Sequence, residues 1–447
     1  MAEVIRRGPL ALADVVDAQS RGQPLGIPSV CSAHPVVLQA AFEQAREDGS
    51  SVLVESTSNQ VNQEGGYTGV TPLGFARLVE GLAKEAGLPA ERVILGGDHL
   101  GPHPWRALGV AVAMARAAEM VRQYVAAGCA KIHLDASMPC ADDPHGRLAE
   151  TVAAARTAEL AAAAEAAAAE RPAGVAPPLY VVGTEVPPPG GQAGEHEGPA
   201  PTRAADAERT LALTGEAFAR RGLERCFERV IALVVQPGVE FGDDVVFRYR
   251  GGTAGLSALA AHHGLVYEAH STDYQDAEAL RALVRDRFAI LKVGPELTFA
   301  LREAVFSLEA IERELLSRTP ERLSGFRRVL DDAMRADPRH WRDWYQGADA
   351  DEEALRRAFS LSDRCRYYWS EPSVREARRR LLENLEGRSL PRGLVCQYFP
   401  DAAEALGGDE PDLPASLERF RVRRVLDRYA EACGSTPAGV SAGQGFT

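Results

Sequence analysis

Eight short apolar or β-branched runs, each followed by polar residues and then a helix-like stretch, set the pattern of this chain. They span Gly26–His34, Ser51–Asn59, Arg92–His99, Lys131–Ser137, Leu179–Val186, Arg229–Gly238, Leu265–Asp273 and Phe288–Thr298. Near-continuous apolar runs mark strands buried on both faces, as in parallel sheets. Eight strand–helix alternations predict an α/β fold, a (β/α)8 TIM barrel over residues 1–302. A doubly wound open sheet is the alternative, but no GxGxxG turn accompanies it. "TPLG" supplies a helix N-cap followed by proline at the first helical position. The alanine-rich stretch 150–171 reads as helix, because Ala, Glu and Arg are strong helix formers.

Beyond Glu303 the strand signal stops, and residues 303–433 read as a helical C-terminal region packed on the barrel or forming an oligomer or partner surface. Residues 434–447 read as a disordered tail. The Pro/Gly-rich segment Pro187–Thr202 follows the fifth run. In a barrel it falls on the catalytic face, as a lid or a disordered insertion.

Composition narrows the function classes. With 45% hydrophobic and 25% charged residues the chain is ordinary for a soluble domain. No apolar run approaches the roughly 20 residues of a membrane span, and the N-terminus lacks a signal-peptide core. A net charge of −13 disfavours nucleic acid as a partner. Seven cysteines without a CxxC pair suit a reducing cytoplasm. There are only three lysines, Lys84, Lys131 and Lys292, against 47 arginines. A lysine kept inside an apolar strand is therefore a candidate for chemistry that a guanidinium cannot do, Lys292 more than Lys131.

In such a barrel the active site lies at the C-terminal strand ends. Those ends carry Cys31, Ser32 and His34; Glu55, Ser58 and Asn59; Asp98 and His99; Asp135 and Ser137; Glu185; Gln236 and Glu240; Glu268, His270, Ser271 and Asp273; and Lys292 with Gly294. Burying so many carboxylates and imidazoles is costly unless they pair or bind a metal. His99 and His270 are the candidate ligands of a divalent ion (Zn, Mn, Co or Ni), with Glu185 and Gln236 as third and fourth. His133 reads as core and His262-His263 as surface. An anionic sugar would take Lys292, Ser271, Thr272 and Gly294, because barrel phosphate sites often follow strands seven and eight. Ser32, His34, Asn59, Ser137 and Asp273 complete the expected substrate contacts. The glycines of "GGDH" are expected to let the backbone pass close to metal and substrate.

At "SVCSAHP", "ESTSNQVNQEGGYTG", "ILGGDHLGP", "KIHLDASMPCADDP", "GTEVPPPGG", "VVQPGVEF", "YEAHSTDYQ", "ILKVGPELTFALREA" and "SLSDRCRYYW", the chain resembles the accessory, non-catalytic subunits of class II tagatose-bisphosphate aldolase. The likeness runs from about Gly26 to the Pro400 region. Some members resemble partners that stabilise a separate aldolase. Others are similar to metal-dependent epimerases that invert C4 of fructose or tagatose, or their 6-phosphates. The likeness to class II aldolases implies Asp98 as acid/base and His99 and His270 as metal ligands, with Glu185 near the metal. A further aldolase histidine falls near Gln236. Asp98, Glu185 and Asp135 are the candidate catalytic carboxylates. The preferred expectation is a homo-oligomeric ketohexose (6-phosphate) 4-epimerase working by retro-aldol and aldol steps on a metal-bound substrate. The alternative is an accessory subunit bound to an aldolase. A Schiff-base aldolase using Lys292 ranks last.

Overall fold

The computed structural model describes residues 12–183, 198–405 and 412–434. All eight predicted runs form strands: β1 Ile27–Cys31, β2 Val52–Thr57, β3 Val93–Leu100, β4 Lys131–Leu134, β5 Leu179–Val182, β6 Val230–Val234, β7 Val266–Ala269 and β8 Phe288–Val293. They close into a parallel barrel in chain order, β8 pairing back onto β1 with Ser29 opposite Lys292. The TIM-barrel expectation is borne out. A small antiparallel hairpin, Glu240–Phe241 with Val246–Phe247, follows β6.

Side chains alternate along each strand. The outward set, such as Val52, Val54, Ile132 and Leu134, joins the large hydrophobic cluster shared with the surrounding helices. The inward set begins with an apolar floor that includes Leu53, Val181, Ala232, Val266 and Ile290. Leu12, Val15 and Ala18 of the first helix, Leu12–Ser20, pack on that floor and plug the N-terminal end of the barrel. Gln19 fastens the plug by donating to the carbonyls of Leu25 and Val284, at 2.8 and 3.0 Å.

Local signals place the helices as expected. Thr71 caps Pro72–Glu85 by accepting from the Gly74 amide. The alanine-rich stretch is helical over Glu150–Ala169, and its small side chains let it pack between Val110–Ala126 and Ala204–Ala219. The helix after β8, Pro295–Leu315, runs straight through the 302/303 boundary drawn from sequence. The last helix, Leu413–Ala432, packs against it and against the barrel helices Pro35–Asp48 and Ala277–Arg285. Barrel and C-terminal helices therefore share one hydrophobic cluster. No helix of the described residues is long and apolar enough to cross a membrane. The 435–447 tail and most of the Pro187–Thr202 segment lie outside the described residues.

Candidate metal centre

Above the apolar floor the barrel interior turns ionic. Glu55, Lys131 and Glu268 are fully buried, and Lys292 is 4% exposed. Lys131 Nζ donates to Glu55 Oε1 at 2.7 Å and also pairs with Glu268. Lys292 Nζ donates to Glu55 Oε2 at 2.6 Å and reaches Asp98 Oδ1 at 2.8 Å. Ser29 donates to Glu55 as well. Three carboxylates thus face two ammonium groups, leaving one negative charge in the layer.

Gly96 makes this layer possible. It lies opposite Glu55 on β2 and opposite Lys131 on β4. A Cβ there would meet Glu55 Oε1 at 2.7 Å, and one at Gly97 would meet Leu100 and Tyr124 at 2.6 and 2.7 Å. The two glycines admit an ion pair and a packed tyrosine, rather than a substrate as the sequence suggested.

One step further along the strands, Asp98, His99, His133 and His270 gather their ligand atoms within 4.8 Å of one another. The imidazole centroids lie 4.6 to 5.3 Å apart. Each ring is oriented by a carboxylate. His99 Nδ1 is 2.9 Å from Asp135 Oδ2, His133 Nδ1 is 3.0 Å from Asp98 Oδ1, and His270 Nε2 is 2.9 Å from Glu268 Oε1. This is the carboxylate–histidine support that metal sites use to fix ring orientation. His133 Nε2 is buried with no hydrogen-bond partner among the described residues. An orphaned imidazole nitrogen beside two further histidines and a carboxylate fits a divalent ion of the zinc type. His99 and Ser271 hold φ of 46° and 53°, a left-handed conformation that costs free energy for non-glycine residues and collects at functional sites.

Burial alone would raise the acid dissociation of Asp98 and Glu268 to higher pH. The lysines overcome it: Lys292 and the histidines hold Asp98, and Lys131 and Lys292 hold Glu268, well below the usual carboxylate range. Burial pushes His270 down to about 3, so it is neutral and able to ligate. Lys292, despite burial, is pushed well above its ordinary value by Asp98, Cys31 and Glu268. The ammonium form is favoured and is held by Glu55 and Asp98, which weighs against a Schiff-base role.

Several predicted residues find other work. Gln236 Oε1 accepts from the backbone of Gly238 and Val239 at 2.8 and 3.0 Å, so its oxygen is engaged in its own turn and His133 stands where a further ligand was sought. Sequence reading had placed His133 in the core. It is buried, but it faces inward with Lys131, two residues earlier on the same strand. That period-2 spacing was the available signal. Lys292 is consumed by Glu55 and Asp98. Gly294 donates its amide to Asp273 Oδ1 at 3.0 Å, and Thr272 Oγ1 donates to the Lys292 carbonyl at 2.6 Å. Of the expected phosphate subsite, Lys292, Gly294 and the Thr272 hydroxyl are therefore engaged within the barrel, while Ser271 lines the cavity. Ser137 donates to Asp135 at 2.6 Å. His34 caps Pro35–Asp48 through Nδ1. Glu185 lies outside the described residues.

Asp98, His99 and His270 open into a cavity of about 1160 Å³, which Ser32, His34, Asn59 and Ser271 also line. Its outer wall comes from the C-terminal helical region, including Arg364, Arg366 and Trp369.

Comparison with known proteins bears on what this site does. A family model described as "D-tagatose-1,6-bisphosphate aldolase subunit GatZ/KbaZ-like" matches residues 12–434. The D-tagatose-1,6-bisphosphate aldolase subunit GatZ of Klebsiella pneumoniae subsp. pneumoniae is 47% identical over 428 residues, covering 95% of this chain and 100% of the relative. Its counterpart from Salmonella heidelberg is 47% identical over 422 residues, covering 94% and 98%. A crystal structure titled as a probable tagatose 6 phosphate kinase from Sinorhizobium meliloti 1021 superposes with a TM-score of 0.82 at 43% identity, covering 91% of this chain and 100% of that one. The expectation of a self-sufficient 4-epimerase is corrected by these matches: the GatZ relatives are named as subunits of an aldolase, not as isomerases.

Proposed function

The chain belongs to the D-tagatose-1,6-bisphosphate aldolase subunit GatZ/KbaZ-like family, and from that premise we propose that it is an accessory subunit that binds and stabilises a class II tagatose-bisphosphate aldolase. The observation that carries this reading is likeness over the full length of a GatZ relative, at 47% identity. The interior of the barrel is compatible with it. Asp98, the expected acid/base, is already engaged by Lys292 and His133, so pairing within the barrel accounts for much of the polarity of the strand ends without turnover.

Asp98, His99, His133 and His270 are the residues that would hold a divalent ion, and three imidazoles favour zinc or a neighbouring transition metal over magnesium. Such an ion would offset the residual negative charge of the layer and polarise an oxygen ligand entering from the cavity. All seven cysteines are unpaired, which supports a reducing, cytoplasmic setting.

The test is reconstitution. The catalytic aldolase subunit is assayed for cleavage of tagatose 1,6-bisphosphate alone and with the purified chain, and the mixture is sized by chromatography with light scattering. Co-elution with a longer half-life of aldolase activity at 37 °C is the expected result. Separate elution with an unchanged half-life would overturn the proposal.

A further inference from the structure

The cavity has a second pole that the barrel strands do not supply. Residues Arg364–Tyr368 form a short 3-10 turn on its helical wall. Arg364 is 2% exposed. Its guanidinium stacks on Trp344, 3.4 Å from the ring centroid, and donates to the Tyr367 phenol oxygen at 3.3 Å. Arg366 donates to that same oxygen at 3.0 Å and to the Ser362 and Asp363 carbonyls.

Two guanidinium ions therefore converge on one phenol, and among the described residues no carboxylate forms an ion pair with either. Two other arginines lining the cavity are paired locally, Arg378 with Glu418 and Arg339 with Asp337. Arg364 Nε is buried with no partner. On the barrel side, Asp273 lies within electrostatic reach of Arg366 but accepts its hydrogen bonds from the amides of Gly294 and Glu296, at 3.0 and 2.8 Å. Both charges are felt at Tyr367: burial would raise its phenol, yet Arg366 and Arg364 draw it below its ordinary value. Burying a guanidinium such as Arg364 with no carboxylate in direct contact is costly, and the planar guanidinium fork matches phosphoryl oxygens.

We propose that Arg364, Arg366 and Tyr367 form an anion site for a phosphoryl group, either free phosphate or the end of a phosphate monoester whose remainder extends into the cavity. The site stands on the helical wall of the same cavity and uses other residues than the Ser271, Thr272, Lys292 and Gly294 cluster to which sequence spacing pointed. It does not depend on the accessory-subunit reading, because it is measured on this chain alone.

The full-length chain is titrated calorimetrically with inorganic phosphate, glycerol 3-phosphate and glycerol. Both phosphates are expected to bind and glycerol to give no heat at the same concentration. Tighter binding of the ester assigns the site to a monoester, and equal binding assigns it to free phosphate. Arg364→Gln should weaken binding at least tenfold, whereas Arg106→Gln, at an exposed arginine of the same cavity, should leave it unchanged. Loss of the Trp344 stack could unfold the Arg364 variant. Hydrogen exchange on the unaltered chain therefore gives a second measurement, in which phosphate should slow exchange within residues 362–369. Binding of neither phosphate, glycerol binding as tightly, full binding in a folded Arg364→Gln, or protection confined to other segments would each overturn the proposal.

Discussion

Replacing Lys292 by methionine tests whether charge balance holds the barrel interior together. Its ammonium group lies 2.6 Å from Glu55, 2.8 Å from Asp98 and 3.6 Å from Glu268, with almost no access to water. Methionine keeps most of the volume and removes the charge, leaving three buried carboxylates against Lys131 alone. Breaking a buried pair by deleting one partner costs about 3–5 kcal/mol, or roughly a hundredfold to a few thousandfold in the folding equilibrium. The pH dependence has a definite sign. Asp98 and Glu268 are held below their unfolded values by the lysines, so their contribution is complete above the unfolded pKa of about 4 and fades as pH falls through the folded value. The deficit of Lys292→Met should therefore be full at pH 7.5 and should narrow as the medium approaches pH 4, where the variant's carboxylates take up protons. Urea unfolding followed by circular dichroism measures it, with Lys84→Met on an exposed helix position as control. A Lys292→Met midpoint equal to that of the unaltered protein at pH 7.5 would refute the reasoning.

Three further outcomes follow from the same geometry. After chelation and reloading with Co(II), His133→Ala and His270→Ala should each lose metal stoichiometry or affinity by mass spectrometry and visible absorption, while Gln236→Ala retains both; the reverse order would restore Gln236 as a ligand. Burial raises Glu240 to about 7, and one of its oxygens has no hydrogen-bond partner among the described residues. An acid with a raised folded pKa favours folding while protonated, so stability should decline between about pH 4.5 and pH 7 by an amount on the order of 3 kcal/mol. Glu240→Gln should flatten that decline, and an unaltered pH profile of the melting temperature would count against it. Gly96→Ala should destabilise by about 1–3 kcal/mol, because its methyl would press on Glu55; a neutral effect on the urea midpoint would show that the ion pair relaxes freely.

The barrel was legible because eight apolar runs and their helices repeat a single unit, and periodicity survives without any knowledge of contacts. Asp98, His99 and His270 were legible for a related reason: strand ends in such a barrel point into one space. His133 was missed because one histidine inside an apolar run looks like core until Lys131, Asp135 and the alternation between them are considered together. Gln236 could not be excluded from sequence, because its engagement with Gly238 and Val239 depends on a turn that spacing does not encode. Arg364 and Arg366 fall in the "SLSDRCRYYW" block, but their place at the cavity was not legible for a different reason. They sit in a helical region nearly a hundred residues beyond Asp273, and only tertiary packing brings that segment over the barrel mouth. The epimerase reading is corrected by the relatives, which are named as aldolase subunits. A full ring of acids and bases reads from sequence as a site for turnover, yet the same groups also pair with one another inside the barrel.

The ionic layer also bears on how the chain reaches its folded state. Glu55 and Asp98 belong to the second and third strands, but half of their compensating charge, Lys292, arrives with the eighth. A nascent chain ending before β7 would have to dehydrate two carboxylates against Lys131 alone. Early strands gain little by closing over one another in that interval, and the barrel is best completed only after the last strand has emerged, in one cooperative step. Splitting the gene between β4 and β7, or permuting the chain there, should then hinder assembly even if every helix and strand retains its propensity.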